Sequence, residues 1–142
     1  MDTVTKKTIS AAGARRLLDG AVQTAERLGK QVSVAVVDNS GYLVAFGRMD
    51  GAGLQTIAIA INKARSAGMT GFATGTTLPD GTTLDTHLAI AIPLSCGTDS
   101  FVTVQGGVPL VKDGAHVGAV GVSGASELED REIADLSANL LY

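Results

Sequence analysis

The chain has 142 residues, 45% of them hydrophobic but only 4% aromatic, with a formal net charge of −3. That length suits one domain that buries its own core, and the slight acidity leaves no basic stripe for a nucleic-acid backbone. No apolar run of about 18 residues offers a membrane span. The charged start MDTVTKKTIS is unlike a signal peptide. A lone Cys96 excludes an intrachain disulfide and fits a reducing, cytoplasmic setting.

Ser10 is placed to cap a first helix, whose apolar positions Ala14, Leu17, Leu18, Ala21, Val22, Ala25 and Leu28 recur at helical spacing until Gly29 stops it. QVSVAVV (31–37) and YLVAF (42–46) flank Asp38-Asn39-Ser40-Gly41, which predicts a β-hairpin. In LQTIAIAINKARSA (54–67), Leu54, Ile57, Ala58, Ile61, Ala64 and Arg65 repeat at three- and four-residue steps, which predicts a second helix. Residues 68–81, GMTGFATGTTLPDG, lack periodicity and read as a long loop, a kind of segment more often functional than inert.

THLAIAIPLS (86–95) fits a short helix or a strand, and Pro93 limits either. FVTVQ (101–105), VPLVK (108–112) and AHVGAVGVS (115–123) predict three strands, joined through Gly106-Gly107 and Asp113-Gly114. The tail SELEDREIADLSANLL opens with Ser126 and has Glu129 three residues on, a capping box for a last helix that puts Leu128, Ile133, Ala134, Leu136 and Leu140 on or near one face. Hairpins dominate and no βαβ repeat occurs. The fold class is therefore α+β, an antiparallel sheet with helices packed on it, in a single domain over residues 1–142.

GAVGVSGAS (118–126) tests three readings. As a phosphate cradle it precedes a helix N-terminus, but it lacks the Lys-Ser/Thr of a P-loop, and Glu127, Glu129 and Asp130 would repel the anion. As a nucleophile elbow it has Ala125 where G-x-S-x-G needs its last glycine. The remaining reading is packing: the glycines admit close approach, and Ser123 or Ser126 caps the helix.

The blocks VAVVDNSGYLVAFGRMDGAG, INKARSA and QGGVPLVKDGAHVGAVGVSGASELEDREIA resemble, in order and over about residues 8–137, the GlcG/HbpS family of haem-degrading domains, related to the C-terminal domain of PduO-type adenosyltransferases. The resemblance implies a five-stranded antiparallel sheet flanked by helices in a profilin-like arrangement, assembled as a homo-oligomer. It also implies a small-molecule ligand, with haem the candidate cofactor. Family members that bind haem use in part a histidine near the first helix. This chain has none there, so His87 is the substitute and His116 the weaker one.

Other matching positions carry chemistry. Arg48 could hold a carboxylate in a bidentate fork, or pair with Asp50 or Asp38 to fix a loop. Lys63 could be a buried amine, although a lysine snorkelling past the core is commoner. Glu129 and Asp130 read as capping and dipole partners, and Cys96 as a small buried hydrophobe. No histidine spacing indicates a metal site. Two functions follow. One is a binding protein with Arg48, Lys63, His87, Gly106 and Gly107 at its ligand. The other is a cofactor-free enzyme acting on a carboxylate or carbonyl compound, with Arg48 as anchor and Asp50, Lys63 or His87 moving protons.

Overall fold

In the computed structural model, which describes residues 1–142, the elements are α1 (Ala11–Arg27), β1 (Ser33–Asp38), β2 (Leu43–Arg48), α2 (Gln55–Thr70), α3 (Thr86–Cys96), β3 (Gly107–Lys112), β4 (Ala115–Ser123) and α4 (Glu127–Ala138). The strands form one antiparallel sheet in the order β2-β1-β4-β3. Both predicted hairpins are present. Gly41 N donates to the Asp38 carbonyl, and the Asp38 carboxylate accepts from Ser40 and Tyr42, which closes the first turn. Asp113, at φ 51, closes the second with Gly114.

The two faces of the sheet are packed differently, because alternate residues point to opposite sides. One face presents Val34, Val36, Val120 and Val122 to Leu17, Ala21, Ile133 and Ala134 of α1 and α4. The other presents Ala35, Val37 and Ala119 to Ala60, Ala64 and Ala67 of α2. Small residues on both sides bring α2 close to the sheet. At Gly121 the approach leaves no room for a side chain, since a Cβ would overlap the Ala60 carbonyl and stand 2.5 Å from Ala64 N.

Four expectations need correcting. The sheet has four strands, not five. Residues 101–105 run outside it, where Val102 N donates to Ser66 Oγ at 2.9 Å and Gln105 N to Glu127 Oε1 at 3.0 Å. Helix side chains thus take the amides a strand partner would need. The buried side of α2 is Thr56, Ala60, Lys63, Ala64, Ser66 and Ala67, while Leu54 is exposed. Close packing on an Ala/Gly face selects small residues there, with Lys63 the exception. On α4, likewise, Leu128 is exposed, and Asp130, Ile133, Ala134 and Ser137 are buried. Lastly, the predicted loop begins later: α2 continues to Thr70 and ends on left-handed Gly71, and Leu78–Thr82 folds into a tight turn.

Residues 86–95 resolve as helix. Asp85 caps α3 by accepting from Leu88 N at 2.8 Å. Pro93 lies inside α3 and cannot donate to the Ala89 carbonyl, which accepts instead from Thr103 Oγ1 at 3.5 Å. α3 has no buried residue, and Leu88, Ile90 and Leu94 stand exposed on it. No helix is long and apolar enough to cross a membrane.

Candidate functional site

α2 turns Lys63 toward the sheet, where only 1% of it is exposed. Its ammonium donates to the Val122 carbonyl at 2.8 Å and to Asp130 Oδ2 at 2.9 Å. Asp130, in the first turn of α4, accepts from Ala125 N on its other oxygen at 2.9 Å. A buried ammonium is tolerated only with such partners. Burial pushes the Asp130 carboxyl above its ordinary value of 3.8; Lys63 and the Ala125 and Gly124 amides pull the other way and offset this only in part.

Gly106 and Gly107 let the chain cross directly over this pair. A Cβ on Gly106 would stand 2.8 Å from Lys63 Nζ and 3.0 Å from Asp130 Cβ, and one on Gly107 would overlap the Lys63 carbonyl. Beside the pair opens a cavity of about 340 Å³ with Ile59, Val102 and Val104 on its apolar side and Asn62, Ser123 and Glu127 on its polar side. A concave apolar site with a few convergent polar groups and a perturbed carboxyl has the character of a ligand site.

The structure brings Lys63, Gly106 and Gly107 together and leaves the other candidates apart. Arg48 and Asp50 are exposed at and just beyond the end of β2. Arg48 pairs with neither Asp50 nor Asp38, whose carboxylate is committed to the hairpin turn. His87 is exposed in the first turn of α3. His116 is exposed on β4, with its ring against Gly71. Ser123 faces the cleft with no imidazole beside it, and Ser126 is the residue that caps α4.

Two expectations change sign. Lys63 is buried and paired, not snorkelling, because Asp130 and the Val122 carbonyl replace its water. Cys96 is exposed at the end of α3, not buried, because α3 stands clear of the core. Asp130, which the sequence presents as a capping and dipole partner, is instead the buried counter-ion of Lys63. Its neighbour Glu129 does form the capping box with Ser126, and the two acids look alike until α4 is set against α2. A usable signal was an acid on the same helical face as Ile133 and Ala134.

A second, larger cavity of about 570 Å³ lies at the N-terminus of α1. Ile9, Val117 and Leu141 give it an apolar floor, and Lys7, Arg16 and Lys112 give it a cationic rim. Arg16 is held over the Tyr142 ring at 4.2 Å and donates to the Leu140 carbonyl at 2.6 Å. His116 lines the adjoining cavity, which shares Lys7.

Comparison with known proteins gives concordant results. The family model described as "Haem degrading protein HbpS-like" matches residues 9–138. Protein GlcG of Escherichia coli is 32% identical over 125 residues, covering 84% of this chain and 84% of that protein. A double mutant of Streptomyces reticuli HbpS superposes with a TM-score of 0.84 at 32% identity, over 99% of this chain and 92% of that one. PduOC in complex with haem superposes with a TM-score of 0.79 at 27% identity, over 93% and 94% of the two chains.

Proposed function

The chain belongs to the HbpS-like family, and from that premise we propose that it is a small-molecule-binding protein whose ligand is haem or another tetrapyrrole. One relative is a haem complex. The observation that carries the reading in this chain is the cavity at the start of α1. Its apolar floor suits a macrocycle, and Lys7, Arg16 and Lys112 suit the carboxylates that such a ligand carries at its edge. Bound haem would supply an iron centre whose reactivity depends on its axial ligand.

No histidine lines that cavity, so the iron ligand in this reading is His87, contributed from the α3 of a second copy. α3 suits that task. It projects from the core with Leu88, Ile90 and Leu94 exposed, an apolar surface that association between copies would cover. The protein in this reading is a cytoplasmic homo-oligomer with its site completed across an interface. The alternative of a cofactor-free enzyme takes second place, because Lys63 lines the cleft while Arg48, Asp50 and His87 are exposed and do not converge on it.

Hemin titration tests this directly. A Soret band is expected with the native sequence. It should shift or vanish in His87→Ala, persist in His116→Ala, and weaken in Lys7→Glu/Arg16→Glu. Absence of a band at micromolar protein removes haem as the ligand.

A further inference from the structure

The cleft beside Lys63 and Asp130 is separate from the cavity assigned above to a tetrapyrrole, and the two share no lining residue. At about 340 Å³ it stands near the lower end of the range for ligand pockets. Three of its polar groups keep hydrogen-bonding capacity: Ser123, Asn62 and one donor of Lys63. Ser123 is only 5% exposed, yet its hydroxyl makes no hydrogen bond within the chain and lines the cavity. The Asn62 amide, also on the cavity wall, has no partner in the chain either. An ammonium has three donors, and Lys63 spends two of them, on Val122 and Asp130. The Ser123 hydroxyl, the Asn62 amide and the third donor of the ammonium thus line one cleft with hydrogen-bonding capacity left for a molecule that enters it.

Charge narrows what that is. Asp130 already balances Lys63, and Glu127 adds a negative charge at the mouth while holding Gln105 N. A free anion therefore meets net repulsion, although a neutral acceptor oxygen does not. Ile59, Val102 and Val104 offer a short apolar wall to the rest of the molecule. We propose that this cleft binds a small uncharged carbonyl compound, an amide or ketone with a short alkyl group, whose oxygen accepts from Ser123, Asn62 and Lys63.

The test is a titration of ¹⁵N-labelled protein with isobutyramide and, separately, with isobutyrate, an anion of the same shape. Isobutyramide is expected to shift the amide signals of Val102, Val104, Ser123 and Ala125 saturably in the millimolar range suited to so small a probe. Isobutyrate should bind about tenfold or more weakly. The pair Ser123→Ala/Asn62→Leu should abolish the shifts while the rest of the spectrum stays dispersed. If that variant does not fold, Val104→Trp, which fills the cleft from its exposed rim, is expected to block binding instead. Absence of saturable local shifts, binding of isobutyrate as tight as the amide, or unchanged binding in the folded variants would overturn the assignment. Hemin binding measured on the same variants reads the other cavity, so either conclusion can fail without the other.

Discussion

Replacing Asp130 with alanine should be the most damaging change that removes so little volume. The substitution strands an ammonium that is 1% exposed, with the Val122 carbonyl as its one remaining partner. It also frees Ala125 N, which now donates to Asp130 Oδ1 at 2.9 Å. Breaking a buried pair from one side costs about 3–5 kcal/mol. For a chain of 142 residues that corresponds to a fall in melting temperature of roughly 10–15 °C. Removing both charges at once with Lys63→Met/Asp130→Leu should restore most of the loss, since a packed apolar pair in place of a buried ion pair is often near neutral. Urea unfolding of the two single variants and the double variant, followed by circular dichroism, closes the cycle. A cost below about 1 kcal/mol for Asp130→Ala, or a double variant no better than the sum of the singles, would refute the argument that the pair is buried and coupled.

Three further outcomes are expected. Gly121→Val should cost about 3 kcal/mol or more in urea unfolding, because the new Cβ meets the α2 backbone at Ala60 and Ala64 and cannot be accommodated by a rotamer change. Ser126→Ala should cost about 1 kcal/mol in the same assay, through loss of the 3.2 Å bond from Glu129 N and of the capping box. The third concerns pH. Burial raises the folded-state value of Asp130 above 3.8, so its contribution is fully present below the unfolded value and is lost as pH rises through the folded one. The stability gap between the native sequence and Asp130→Asn should therefore be wider below about pH 4 than at neutrality. A gap that widens with rising pH would mean that Lys63 outweighs burial.

Local rules made much of the fold readable. The Asp38–Gly41 and Asp113–Gly114 turns, the Ser10 and Ser126 caps and the α1 stripe each depend on a few neighbouring residues, and each is found where those residues place it, except that Leu28 caps α1 and is exposed. The misses depended on distant partners. FVTVQ has the alternation of a strand, yet Ser66 and Glu127 take its amides. The large residues of α2 carry the visible stripe, but the face it buries is chosen by Ala35, Ala119 and Gly121 across the sheet. The site was legible in half: Lys63, Gly106 and Gly107 carry motif-like surroundings, whereas Asp130 becomes their partner only when α4 docks. No local pattern reports that Arg48 and His87 end up elsewhere.

The unequal faces of the sheet also set where this protein can change. On the α1 and α4 side, side chain meets side chain, so a methylene lost from one valine can be returned by a neighbour, and volume is negotiable. On the α2 side the neighbour of Gly121 is main chain, which has nothing to trade. Laboratory evolution should accumulate its hydrophobic swaps on the first side and leave the second frozen. That frozen side holds the lysine cleft in place, so the pocket is built on the part of the molecule least free to drift.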